Sequence, residues 1–251
     1  MSGHSKWATI KHKKGAADKA RGKLFAKLIR QVEVAAREGG GDPDSNPTLR
    51  TMFQKAREAS VPLDTIERAI KRGTGALEGV RYEQVTYEGY APNGVAVIVE
   101  CLTDNRNRTG ADIRSTFSKN GGSMAEPGAV SWQFDRKGVV LVPKSVTEDD
   151  LMLVALDAGA EDISDSGEQW QVTTPPSDLP AVRAALDEAG VPVESAEVTL
   201  LPSTTIALQS EAEAKKVLHL VDLLEDHDDV QNVYANFDIP DSILDLVESL
   251  T

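Results

Sequence analysis

At 251 residues the chain is long enough for one to three domains with cores of their own, and its 40% apolar and 27% charged content describes a soluble globular protein. No apolar run approaches the ~18 residues of a membrane span, and the N-terminus lacks the apolar core of a secretory signal. The single cysteine, Cys101, excludes an internal disulfide and fits a reducing compartment, so a cytoplasmic location is expected, with no membrane partner.

The net charge of −13 is split along the chain. Residues 1–80 carry 16 Lys/Arg and 9 Asp/Glu, whereas residues 81–251 carry 11 and 31, so a basic module is attached to an acidic body. The first thirty residues are the extreme: nine cations (Lys6, Lys11, Lys13, Lys14, Lys19, Arg21, Lys23, Lys27, Arg30) against one acid, Asp18. Such an asymmetry suits a polyanion, since each phosphate neutralised by Lys or Arg releases condensed counterions. The acidity of the remainder limits indiscriminate sticking to nucleic acid.

Residues 2–14, SGHSKWATIKHKK, have no helical apolar period and read as an exposed arm. Trp7 either anchors that arm on the body together with Ile10 or stacks on a base, a contact that tolerates any sequence. His4 and His12 lie among the cations, where His12 is a candidate phosphate contact; neither has a partner at zinc-site spacing. From Ala16 to Glu38 the pattern is helical. Leu24, Phe25, Leu28, Ile29, Val32, Ala35 and Ala36 share one face, while Lys19, Lys23, Lys27, Arg30 and Arg37 lie opposite. The apolar face must bury, so the basic stripe is expected to face out as a continuation of the arm. Gly39-Gly40-Gly41 ends this helix, and Asn46 with Pro47 starts a second as N-cap and first helical residue. The Asp42-x-Asp44-x-Asn46 spacing fails as a calcium loop because Pro47 stands where a glycine is required. A third helix is expected to begin with an Asp64–Glu67 capping box and to stop at Gly73, completing a small bundle.

Beyond Gly75 the period becomes two. Strands are expected at Tyr82–Glu88 and Val95–Leu102 with Pro92-Asn93-Gly94 between them, then a helix at Asn105–Lys119 and a strand at Ala129–Phe134. Val139–Leu200 reads β-α-β-β-α-β, the split pattern of a ferredoxin-like plait. Thr204–Leu208, Glu211–Leu224 and Val230–Ala235 read strand, helix, strand, followed by a tail helix at Ser242–Leu250. A lone β-α-β covers neither the faces nor the edges of its sheet. One plait interrupted by another is therefore favoured: a helical domain at 1–78, a discontinuous α/β domain at 79–136 plus 202–251, and an inserted plait at 137–201. Two sequential domains cut near 136 with an unpaired tail are the alternative. The fold class is thus α+β, a three-helix domain followed by two ferredoxin-like domains.

Asp104 or Asn105 can cap the Asn105–Lys119 helix, which places Arg106 and Arg108 near free backbone N–H groups that favour anions. They are either a second phosphate contact or arginines paired with the body's surplus acids. Nothing points to catalysis: phosphate-loop, dinucleotide, zinc-protease and nucleophile-elbow motifs are missing. Cys101 reads as a buried small hydrophobe, and Glu225-Asp226-His227-Asp228-Asp229 reads as a solvated acidic turn. No cofactor, metal or small-molecule substrate is expected.

MSGHSKWATIKHKK, GGGDPDSNPTLR, VPLDTIERAIKRGTG, YEGYAPNGVAVIVECLTDNRNRT and FSKNGG, in that order, resemble blocks of the YebC/PmpR family over essentially the full length. The mitochondrial member of that family is a translational activator of cytochrome c oxidase. The sequence departs at Ser123–Val130, SMAEPGAV, where a glycine-rich LGxxG-like turn is expected. The resemblance implies three domains in a crescent and a non-enzymatic, DNA-binding regulator of transcription. It also implies the alternative of a ribosome- or RNA-binding translation factor that eases elongation through proline-rich stretches. The residues themselves lean towards RNA, because the cations lie on an arm and a helix flank rather than on a base-reading helix. An acidic protein-interaction scaffold is the third expectation. The nucleic-acid candidates are Lys6, Trp7, Lys11, His12, Lys13, Lys14, Lys19, Lys23, Lys27, Arg30, Arg106 and Arg108.

Overall fold

A computed structural model describes residues 18–167 and 169–240, together with Ile243. The expected arm and tail helix lie outside the described residues.

Helix α1 (Asp18–Gly39) is about 33 Å long at 1.5 Å per residue. It packs Leu28, Val32, Ala35 and Ala36 against Leu49 and Ala56 of α2 (Pro47–Glu58), Val61, and Ile66 and Ala69 of α3 (Leu63–Gly73). Asn46 joins two of these helices. Its Oδ1 accepts from Leu49 N at 3.1 Å as the N-cap of α2, while its Nδ2 donates to Ala35 O and Gly40 O at 2.9 and 2.8 Å, satisfying the end of α1. Gly73 allows α3 to approach α1, since a Cβ there would stand 2.4 Å from Glu33 O. The expected capping box of α3 does not form. Pro62 occupies the N-cap with no side-chain bond, and Asp64 instead pairs with Arg68 at 2.6 Å.

The first sheet has the spatial order β3 (Ser123–Ala125), β1 (Glu83–Tyr90), β2 (Ala96–Thr103), β9 (Val230–Ala235), and the second β5 (Asp162–Asp165), β6 (Gln169–Thr174), β4 (Phe134–Pro143), β7 (Ser195–Pro202). In the first, β1 (Glu83–Tyr90) and β2 (Ala96–Thr103) form a hairpin, α4 (Arg106–Lys119) leads to the edge strand β3 (Ser123–Ala125), and α7 (Glu211–Glu225) leads to β9 (Val230–Ala235). Strand β9 runs antiparallel to β2 with an irregularity at Glu100/Cys101, so a strand at Val230–Ala235 closes a sheet that begins at Glu83. Val95, Val97, Val99 and Cys101 bury one face against Ile113 and Phe117 of α4 and Val217, Val221 and Leu224 of α7. The second sheet follows the chain order β4 (Phe134–Pro143), α5 (Glu148–Asp157), β5 (Asp162–Asp165), β6 (Gln169–Thr174), α6 (Leu179–Glu188) and β7 (Ser195–Pro202), which is a ferredoxin-like plait. The first sheet has the same spatial arrangement, except that the position of β6 is filled by β1, which precedes β2 in the chain. Short strands β8 (Ile206–Ala207) and β10 (Phe237–Asp238) pair parallel.

The strand expected at Ala129–Phe134 is displaced. Ser123–Ala125 pairs with β1 instead, and Ser131–Gln133 is a short 3-10 turn leading into β4. The cause is Glu88, buried on β1, whose carboxylate accepts from the N–H groups of Gly128, Val130 and Ser131 at 2.7, 2.7 and 2.9 Å. Donors turned towards one carboxylate are withdrawn from any strand ladder. Burial alone would raise the carboxyl of Glu88, but these three donors hold it below its ordinary value.

Candidate nucleic-acid interface

The cationic flank of α1 meets the turn after α7. Lys23 Nζ donates to Asp226 O and pairs with Asp226 Oδ1, both at 2.8 Å. One turn on, Lys27 Nζ donates to Glu225 O at 2.7 Å. Arg30 Nη1 then reaches Asp228 O at 2.9 Å, Asp229 Oδ1 at 2.8 Å and Leu102 O at 3.3 Å, with its guanidinium 5.3 Å from the Tyr82 ring centroid. Two of these acceptors, the carbonyls of Glu225 and Asp226, lie at the C-terminal end of α7, where the helix dipole favours cations. The expectation of an outward-facing stripe is therefore corrected for Lys23, Lys27 and Arg30. Leu28 and Val32 do bury in the bundle, but the opposite flank lies against the turn that reads in sequence as merely solvated.

Asp229 is the centre of this junction, with its side chain 5% exposed. Besides Arg30, its carboxylate accepts from Arg108 Nη2 at 2.9 Å, Thr109 Oγ1 at 2.7 Å and Thr103 Oγ1 at 3.3 Å. Its backbone accepts from Leu102 N at 2.8 Å and donates to His227 Nδ1 at 3.1 Å, while His227 Nε2 faces Asp112. Burial by itself would raise the carboxyl of Asp229, but the hydrogen bonds from Arg108, Thr109 and Arg30 hold it down at about 2. The same acid, with Asp104 at 2.7 Å, raises the Arg108 guanidinium above its ordinary value.

Asn105, rather than Asp104, caps α4 by accepting from Arg108 N at 3.1 Å. Of the two arginines that follow, Arg108 is paired with acids. Arg106 stands exposed and unpaired among the described residues, its carbonyl accepting from Tyr87 Oη at 3.1 Å. Lys6, Trp7, Lys11, His12, Lys13 and Lys14 lie outside the described residues, as does the side chain of Lys19. Cys101 is fully buried, and desolvation, with the Asp229 charge adding to it, pushes its thiol up to about 12. Among the described residues no His/Cys/Asp/Glu group is placed to hold a metal ion, and no helix is long and apolar enough to cross a membrane.

Two family profiles cover the chain: the TACO1/YebC protein N-terminal domain at residues 5–76 and the TACO1/YebC second and third domain at residues 82–237. The chain belongs to the TACO1/YebC family. A relative from Thermobifida fusca is 61% identical over 246 residues, spanning 97% of this chain and 98% of its own length. Another from Geotalea uraniireducens is 57% identical over 245 residues, spanning 98% and 99%. Both carry the name probable transcriptional regulatory protein. The crystal structure of a conserved hypothetical protein from Aquifex aeolicus aligns with TM-score 0.83 at 50% identity, over 95% of this chain and 98% of that one. The α+β architecture described above is thus the architecture of this family.

Asp229, Thr103, Thr109 and Tyr82 are the junction residues that sequence reasoning missed. One signal was available. The densest acidic run after residue 200, Glu225–Asp229, is the natural counter-charge for the densest basic run.

Proposed function

We propose that the protein is a non-enzymatic regulator of gene expression that binds nucleic acid through its basic N-terminal segment, in the manner of a DNA-binding transcriptional regulator. The observation that carries this reading is the nine-to-one excess of cations over acids in the first thirty residues of a chain whose net charge is −13. The names of its relatives support the regulatory role. Lys23, Lys27, Arg30 and Arg108 are engaged with acids or carbonyls, so first contact falls to Lys6, Lys11, Lys13, Lys14 and Lys19, with Trp7 and His12 among them, and to Arg106. The domain division goes with this reading: a basic unit at 1–78, a discontinuous unit at 79–136 plus 202–251, and an inserted plait at 137–201. Its support is the β2–β9 pairing, which joins the two parts of the discontinuous unit across the inserted sheet.

A second reading, an RNA-binding translation factor acting on the ribosome, is favoured by one observation. Helix α1 lays its cationic flank on the acidic turn rather than holding it out as a recognition helix for a major groove. Phosphate contact without base reading suits folded RNA. The experiment is binding of duplex DNA and of RNA of matched sequence across a salt series. Replacing Lys6, Lys11, Lys13 and Lys14 by Ala is expected to flatten the salt slope by roughly 0.9 per lost contact on duplex DNA and 0.7 on single strands. Arg106→Ala is expected to weaken binding with no change in melting. An unchanged slope in the quadruple variant overturns the arm as the contact, and preference for RNA over DNA selects the second reading.

A further inference from the structure

The contact between α1 and the acidic turn is graded along the helix. At one end Arg30 meets Asp229, whose side chain is 5% exposed and held from three further directions by Arg108, Thr109 and Thr103. At the other end Lys23 meets Asp226, whose side chain is 67% exposed. A pair in that setting contributes little, because water and salt screen it. Bundle packing thins in the same direction. Leu28 and Val32 are buried, Phe25 is only partly so, Leu24 is 46% exposed, and Gly22 and Ala26 are exposed. Among the described residues, the contacts of the N-terminal end of α1 with the turn are those of two lysines on Glu225 O, Asp226 O and the Asp226 carboxylate. Each of these acceptors is an oxygen bearing full or partial negative charge, and so is each phosphate oxygen of a nucleic-acid backbone.

We propose that the Lys23–Lys27 end of α1 is a phosphate-backbone site covered by the chain's own acidic turn, and that nucleic acid displaces the turn from these lysines while Arg30–Asp229 stays closed as the pivot. This rests on the nucleic-acid reading above and adds its regulation: the turn competes in cis with the ligand. A polyanion first held by Lys6–Lys14 would meet Lys23 and Lys27 further along the chain, beyond Lys19 and Arg21, at high local concentration and against the exposed end of the contact. Displacement is an exchange of one set of oxygen acceptors for another, so it leaves no cation unpaired at either end of the process. The buried end does not exchange in the same way, because opening it would also strip Thr103 and Thr109 of their acceptor.

The test uses the full chain with a fluorescein-labelled 20-nucleotide RNA and a duplex DNA of the same sequence. Asp226→Ala is compared with Asp157→Ala, which removes the same charge from an exposed position on α5 of the inserted plait. Asp226→Ala is expected to bind about two- to fivefold tighter, the range of a surface ion pair, while Asp157→Ala stays near the wild type. A second protein carrying Lys23→Cys and Asp226→Cys is joined by a flexible bis-maleimide and compared with the same protein capped by N-ethylmaleimide; buried Cys101 is left unreacted. The joined form is expected to bind more weakly, with a salt slope lower by roughly 0.9 on duplex DNA, the share of one contact. Wild-type binding with Asp226→Ala equal to Asp157→Ala, and joined equal to capped, overturns the displacement while the nucleic-acid reading stands. Failure of the wild type to bind either probe overturns both.

Discussion

Removing the Asp229 carboxylate tests whether the three-way junction holds the basic unit to the first sheet. In Asp229→Ala, Arg30 keeps the carbonyls of Asp228 and Leu102, Arg108 keeps Asp104, and the Thr103 and Thr109 hydroxyls keep each other at 2.8 Å. The loss is therefore smaller than that of a fully buried pair left with one bare charge, for which 3–5 kcal/mol is usual; about 2–4 kcal/mol is expected. In a chain of this length that corresponds to a fall in melting temperature of about 5–10 °C. Asp229→Asn keeps the shape and one acceptor but not the charge, and is expected to cost about half as much. The pH dependence supplies an independent check. The carboxyl is at about 2 in the folded protein against 3.8 for the unperturbed group. A depressed carboxyl stabilises fully above its unfolded value and loses that contribution as pH falls through the folded one. The difference corresponds to on the order of 2 kcal/mol. The stability gap between wild type and Asp229→Asn should therefore be constant above pH ~5 and close between pH ~4 and ~2. Differential scanning calorimetry across that range reads both effects. A melting shift below about 2 °C for Asp229→Ala, or a gap that does not narrow in acid, refutes the reasoning.

Glu88→Ala removes the shared acceptor of three backbone donors, one of them on fully buried Val130. The expected cost is about 2–3 kcal/mol in urea denaturation, with faster amide exchange at Gly128, Val130 and Ser131, and unchanged exchange there would contradict the assignment. Cys101, with its thiol at about 12, is expected to resist iodoacetamide at pH 8, where only about one molecule in ten thousand is thiolate. Labelling in the folded state as fast as in urea would mean that the strand opens.

Most of the fold was legible because its elements announce themselves locally. Asn46-Pro47 and the Leu49–Ala56 spacing define α2, Pro92-Asn93-Gly94 turns the hairpin, and the alternation from Val139 to Leu200 spells the plait. The misreadings have a common physical origin. Ala129–Phe134 has the composition of a strand, but a carboxylate about forty residues earlier collects the N–H groups of Val130 and Ser131; Asp64-x-x-Glu67 has the composition of a capping box, but Pro62 already fixes the entry to α3. In each case a partner distant in sequence, or a backbone constraint one step outside the motif, overrides the local preference.

The candidate interface is hidden from the sequence for a different physical reason. Amphipathicity correctly assigns the apolar face of α1 to the bundle, but it treats the opposite face as solvent by default. Here that face has a second protein surface against it, supplied from about 200 residues away by a turn whose own local reading was equally bland. Two complementary charge runs in one chain are each uninformative alone. Together they specify a contact whose buried end, at Asp229, is specific in geometry and whose exposed end, at Asp226, is specific in little but charge. A purely structural latch has no need of the exposed end, since Arg30, Arg108, Thr103 and Thr109 already define the junction. Under the proposed displacement, the exposed end has a use: a site held closed until a polyanion arrives needs an end weak enough to yield to phosphate, and a solvent-screened pair such as Lys23–Asp226 is the kind that yields.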